Sequence, residues 1–263
     1  MVLGGLFGRR GPEPEPLPAV SPPEVPKNEA RFVGRVLDEA RSALDRGAAA
    51  AGAAAPPAAA GWRVSAAPVA GSGLTMARLE AEVPVAPDAL FKLLRTMDGK
   101  RIIDPFPRER HSERVKPLRA PRGRSAEIVF SEAPRFHGLL RPREYLTCDA
   151  EAPRERLFVC KSALLDKGPL AGPAPGHVRA NLFYAFRLRE AEGRRGATRL
   201  EMVNWLDLGA NTVPPLIANG VTERWYFQAL MRRLNRYIDE NGLAAGADGG
   251  GGGSGKGGKE ARK

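Results

Sequence analysis

The sequence predicts an α+β fold in which an antiparallel sheet is covered by one long C-terminal helix. Three observations carry this. Short runs with period-two alternation follow one another from Gly61 to about Asp207. The last two runs are long, and the charged turn Ala191-Glu-Gly-Arg-Arg-Gly196 joins them as a hairpin. Beyond them the period changes to 3.6: Ile217, Val221, Phe227, Met231, Leu234 and Ile238 form a stripe at three- and four-residue steps, flanked by Trp225 and Leu230.

The first 60 residues are poor core material. The N-terminus is rich in proline, and the run GAAAAGAAAPPAAAG at 47–61 has no side chains from which to build a core. Residues 1–60 are therefore expected to be largely disordered, with one short amphipathic helix near 30–46 that carries Phe32, Val33, Val36, Leu37, Ala40 and Leu44 on one face. Docking on the domain, docking on a partner and an unattached surface helix all fit that pattern. The folded domain is placed at 61–241. Residues 242–263 read as a disordered, glycine-rich basic tail.

Within the domain, LTMARLEAEVPV alternates as a strand, with Thr75, Ala77, Leu79, Ala81 and Val83 on one side. APDALFKLLRTM is a short helix opened by Pro87. Further strands are predicted near 113–119, 124–131, 142–149 and 155–164, followed by HVRANLFYAFRLRE and ATRLEMVNWLDL. In the first of these long strands Val178, Ala180, Leu182, Tyr184, Phe186 and Leu188 form an apolar face. In the second, Arg199, Glu201, Val203, Trp205 and Asp207 oppose Thr198, Leu200, Met202, Asn204 and Leu206, and pattern alone leaves open which face is inward. An apolar sheet face must be covered, and the C-terminal helix, predicted over 214–240 with Thr212 as its cap, is the large element left to do so.

Cys148 and Cys160 are the only cysteines. A hairpin turning near Ala152-Pro153 sets Cys148 opposite Leu157, which offsets the thiols by roughly 10 Å and argues against a disulfide. Two sulfurs alone make no zinc site, so no metal is expected. The net charge is +11, and 61–241 holds 30 Lys and Arg against 21 Asp and Glu, so +9 belongs to the domain. Arg95 to Arg124 is the densest basic stretch, which suits a solvated basic face and also an anionic membrane surface or nucleic acid. No run of 18 apolar residues suggests a membrane span, and no signal-peptide core is seen, so a cytoplasmic address is expected, with peripheral membrane contact.

Four local passages, in order, point to a family. EAEVPVAPDALFKLLRTMDGKRIIDPF reads as a strand-helix opening that ends in an Asp-Pro turn. LRPREYL carries a Pro-Arg-acid-aromatic strand, KGPLAGPAPGHVRAN a proline loop leading into Val-Arg-Ala, and VNWLDLGANTVPPLIANGV an Asp-x-Gly passage into the last helix. Together they resemble the START lipid-binding domain of the helix-grip superfamily, which also holds polyketide cyclases. The likeness covers about 61–240. It departs from the family where Ile102-Ile103 stand in place of a tryptophan and where Glu144 replaces Asp, as in a divergent member.

The resemblance implies a helix-grip fold, a curved antiparallel sheet wrapped around the long C-terminal helix, with an internal cavity for a lipid or sterol-like ligand. It implies no covalent chemistry and no cofactor. Burying an acyl chain of about 16 carbons would contribute on the order of 10 kcal/mol before entropy losses. Tyr184, Met202, Trp205, Leu216, Phe227 and Met231 are the candidate lining residues, each equally readable as core. Arg143 and Arg179 match family arginines and either meet a ligand head group or pair with Glu144, Glu201 or Asp207. Gly220, inside the predicted helix, marks close approach or a gate. The loop 165–176 corresponds to the family's flap and offers Leu165 and Leu170 to a membrane.

Catalysis has little support in the sequence. His111, His137 and His177 are scattered, with no HExxH, no paired acids and no phosphate loop. The expectation is a monomeric binding protein that carries or senses its ligand. The alternative is a helix-grip enzyme of cyclase or hydrolase type acting on an apolar substrate. Nucleic-acid binding ranks below both, because basic and aromatic residues are not interleaved.

Overall fold

The computed structural model describes residues 24–50, 61–95, 102, 111–133, 141–209, 219 and 225–244. Among them nine strands form one sheet: β1 (Trp62–Pro68), β2 (Thr75–Val83), β3 (His111–Pro117), β4 (Ser125–Ala133), β5 (Arg143–Ala152), β6 (Leu157–Ser162), β7 (Val178–Arg179), β8 (Asn181–Glu190) and β9 (Thr198–Asp207). Their order is β1-β2-β9-β8-β6-β5-β4-β3, antiparallel throughout, with the two-residue β7 lying parallel to β5. The α-helices among the described residues are α1 (Glu29–Ala50), α2 (Pro87–Leu94) and α3 (Phe227–Glu240). The α+β helix-grip expectation holds: a curved sheet wraps the C-terminal helix.

Alternation sets in at Gly61 but names no strand before LTMARLEAEVPV; β1 is a half-exposed edge strand whose small residues Ser65, Ala66 and Ala67 weaken the pattern. The sequence pattern also overextends one hairpin. A 3-10 turn at Pro153–Glu155 and the left-handed Arg156 (φ 47) carry the chain round, so Ala152 pairs with Leu157 and Asp149 with Cys160. Cys148 therefore lies opposite Lys161, not Leu157. Both thiols are buried and outside any disulfide, and they sit on opposite faces of the sheet.

The sheet is apolar on both sides, and each side has its own cover. Toward α3 lie Ala77, Leu79, Ala81 and Val83 of β2, Phe158 and Cys160 of β6, Leu182, Phe186 and Leu188 of β8, and Leu200 and Met202 of β9. Phe227, Leu230, Met231, Leu234 and Ile238 of α3 and Leu90, Phe91 and Leu94 of α2 close over them. Phe91 meets Phe186 edge-on at 6.1 Å, and Phe186 stacks on Phe158 at 5.3 Å, geometries favoured by the ring quadrupoles.

The opposite face is covered by α1, which settles where that helix docks. Asn28 caps it by accepting from Arg31 N at 3.1 Å. Phe32, Val33, Val36, Leu37, Ala40, Ala43 and Leu44, none more than 5% exposed, pack on Leu146, Cys148, Ala150, Val159, Phe183, Ala185 and Val203. Ion pairs fasten its polar flanks: Lys161 to Glu39 at 2.5 Å, Arg187 to Asp45 at 2.8 Å, and Arg41 to Glu155 through two bonds of 2.7 Å. The helix runs 29–50 rather than 30–46, and it is part of the domain core. Alternation along β6, β8 and β9 makes one apolar face conspicuous and hides the second, where charged and apolar residues are mixed.

The C-terminal helix is described from Phe227, after a π-type turn at Trp225-Tyr226. The predicted start at 214, the Thr212 cap, Leu216 and Gly220 lie outside the described residues. No described helix is long and apolar enough to cross a membrane.

Candidate functional site

Strand alternation decides which residues face α3. On β9 these are Thr198, Leu200, Met202, Asn204 and Leu206; on β8 they are Leu182, Tyr184, Phe186 and Leu188. Met202, Phe227 and Met231 are thereby brought together in one cluster with the half-buried Tyr184, whose ring stacks on Phe158 at 5.8 Å. Four of the predicted lining residues belong to one packed cluster.

Trp205 does not join them. It faces α1, is 3% exposed, and lies beside Phe183, its cross-strand partner. Its indole N–H is buried without an acceptor among the described residues. The reason is parity: Met202 faces α3, so Trp205, three residues on, must face the other way. Trp205 is core packing for α1, not part of an α3-side lining.

The two arginines also part company. Arg143 is on the α3 side at the rim; its Nε donates to Leu208 O at 2.8 Å and its Nη1 donates to Arg141 O. Burial pulls its guanidinium pKa down from the usual range. Arg179 pairs with Glu144 at 3.4 Å on the opposite face, and the same Nη2 donates to Leu170 O at 3.2 Å and Gly172 O at 2.8 Å. Burial lowers its pKa while the Glu144 carboxylate opposes the shift. Arg179 thus pins the 165–176 loop to the sheet. The Ala174 amide reinforces this by donating to Glu144 at 3.1 Å. Leu165 and Leu170 pack against the α1-side cluster rather than projecting outward.

A polar set on the α3 face escapes a reading of the sequence. Thr147 Oγ1 donates to Asp149 Oδ1 at 2.9 Å, Ser162 Oγ accepts from Leu182 N at 2.8 Å, and Ser131 bonds Ser112 at 2.9 Å; Thr147, Asp149, Ser162 and Asn204 are each at most 6% exposed. Along the pairing register, Asp149, Cys160, Tyr184, Asn204 and Ala77 form one row across five strands, bordered by the apolar row Phe158, Phe186, Met202 and Leu79. The α3 side is therefore apolar on both borders of this row, with Leu182 and Leu206 on the far border, and the buried side chains of Asp149 and Asn204 interrupt it. Inward polar positions on a strand are the one signal of it in the sequence.

The junction after β9 is sterically fixed. Gly209 has φ +95, and a Cβ there would collide with Val178 Cγ1. Its amide donates to Asp207 Oδ1 at 2.9 Å, so Asp207-Leu-Gly209 forms a compact side-chain turn. This is the physical basis of the Asp-x-Gly passage. Among the described residues no three His, Cys, Asp or Glu side chains gather as a metal would require.

No family model matches the sequence, and no curated protein matches it. Solved structures do. Human StAR-related lipid transfer protein 5 superposes with a TM-score of 0.56 at 12% identity, over 81% of this chain and 99% of that one. Human STARD10 superposes with a TM-score of 0.51 at 13% identity, over 71% of this chain and 74% of its own. The fold is START-like. At this identity the START-like likeness speaks for architecture alone.

Proposed function

We propose that this chain binds one lipid or sterol-like molecule between the sheet and α3, and carries or senses it at membrane surfaces without covalent chemistry. The observation that carries the reading is the α3-facing sheet surface, where Leu79, Phe158, Phe186 and Met202 adjoin a buried polar row inside a START-like fold. An apolar tail gains about 0.8 kcal/mol per methylene removed from water on such a surface, and the polar row offers a place for a head group. One structural relative, StAR-related lipid transfer protein 5, is named for lipid transfer, which accords with this reading.

The exposed Arg119 and Arg122 beside the β3–β4 turn supply positive charge suited to anionic head groups. We read the chain as a monomer that works in the cytoplasm and touches membranes peripherally. The non-catalytic reading is preferred to a cyclase or hydrolase because both ring nitrogens of His177 are engaged, Nε2 with the Glu132 carboxylate at 3.0 Å and Nδ1 with the Pro175 carbonyl at 3.3 Å, which leaves neither facing a hydroxyl or thiol to activate.

Vesicle-to-vesicle transfer of fluorescent lipids by the full chain tests the proposal, together with solvent extraction of protein purified from cells. Co-extracted lipid and catalysed transfer are the expected results. Neither appearing would end the reading.

A further inference from the structure

We propose that Asn204 receives the polar group of the bound molecule, and that this group is an uncharged hydroxyl; this rests on the lipid-binding reading above. Asn204 faces α3 between Met202 and Leu206, both apolar, and is 6% exposed. Its carboxamide makes no hydrogen bond to another described residue, and its polar atoms are not among those fully closed off from a partner. Thr198 donates to Val85 O at 2.5 Å, Ser162 accepts from Leu182 N, and Thr147 donates to Asp149, so these other buried polar groups of the face are satisfied internally. An amide left without a protein partner on this face is open to one supplied by a bound molecule.

The surroundings say what that partner is. Across the strands Asn204 is paired with Tyr184 on β8 and with Ala77 on β2, where a methyl group leaves the amide uncovered. A carboxamide presents a donor and an acceptor and no charge, which matches a hydroxyl that both gives and takes a hydrogen bond. A phosphate would find no cation in the row Asp149, Cys160, Tyr184, Asn204 and Ala77. An ammonium at Asn204 would lie three strands from the Asp149 carboxylate, roughly 14 Å along the sheet, too far to be neutralised. The bound molecule is therefore an apolar body with a neutral hydroxyl, oriented with that hydroxyl toward Asn204.

A matched pair of probes tests this: delipidated full chain is dialysed to equilibrium against radiolabelled 1-hexadecanol or hexadecane, which differ by one hydroxyl. Wild type should prefer the alcohol by about tenfold, the discrimination expected of one buried hydrogen bond. Asn204→Leu, close in volume, should bring the preference close to unity while hexadecane binding is kept. Asn204→Gln should retain part of it, and Asn204→Ala serves if the leucine variant fails to fold. Persistence of the alcohol preference in Asn204→Leu or Asn204→Ala, or equal binding of both probes by wild type, overturns the assignment. If wild type binds neither probe, the lipid-binding reading itself falls, and this assignment with it.

Discussion

Arg78 on β2 and Glu201 on β9 form an ion pair at 3.3 Å with side chains only 4% and 3% exposed. Arg78 also holds Glu80 at 2.6 Å and donates to the Leu44 carbonyl of α1, while Arg187 reaches Glu201 at 2.9 Å and Asp45 of α1 at 2.8 Å. Glu201 is thus the centre of a network that ties α1 to the strands. Glu201→Gln leaves buried guanidinium groups undercompensated and should destabilise the chain by about 3 kcal/mol in urea unfolding. Arg194→Ala, which breaks the exposed pair with Glu82, should cost less than about 0.5 kcal/mol. Equal effects of the two would refute the central role of Glu201.

The α1 helix closes the second core, so its apolar face should matter to global stability. Leu37 is wholly buried, and Leu37→Ala should cost about 3 kcal/mol with the same cooperative transition. A loosely docked helix would instead lose less than about 0.5 kcal/mol, or melt separately. Far-ultraviolet circular dichroism against urea distinguishes these outcomes.

Trp205 and Met202 lie three residues apart on β9 and on opposite faces. Trp205→Phe should cost about 1 kcal/mol of stability through lost volume, and its unpaired N–H removes no hydrogen bond. Lipid transfer by that variant should match wild type. Impaired transfer at unchanged stability would place Trp205 in the binding space after all.

His177 bonds Glu132 at 3.0 Å, and the Glu132 carboxylate, with the Pro175 carbonyl, raises its pKa above the ordinary imidazole value. A raised folded-state pKa means the contact stabilises fully below about pH 6.5 and is lost as pH climbs through the folded value. An NMR titration of the imidazole should show the upward shift, and Glu132→Gln should bring it back down. Hydrogen exchange of the 165–176 loop, corrected for the intrinsic rate, should quicken over the same pH interval in wild type only. A His177 titration indifferent to Glu132→Gln would refute the pairing.

The hairpin β8–β9 is legible in the sequence because alternation survives where one face is strongly apolar, as in Leu182, Tyr184 and Phe186. The second face is not, because Glu201, Arg187 and Lys161 are buried there by ion pairs, several of them to α1, that only three-dimensional contact creates. The expected register of Cys148 slips because a left-handed Arg156 is not announced by its residue type. Of the expected lining residues, Tyr184, Met202, Phe227 and Met231 share a cluster, since a helix stripe and a strand face are each legible alone. Trp205 is misplaced by a sequence reading because aromatic size carries no information about which face it occupies. Asn204 stands in plain view in the alternation, but only burial and the lack of a partner distinguish it from a solvated amide.

On the proposed reading a lipid lies against the α3 side of the sheet and not the α1 side, and native mass spectrometry of the full chain purified from cells tests this most directly. The predicted spectrum holds a population carrying one noncovalent adduct of lipid mass, lost in Met202→Trp, which fills the α3 side, and kept in Trp205→Phe. Absence of any adduct in wild type, or an adduct kept by Met202→Trp and lost by Trp205→Phe, would contradict it.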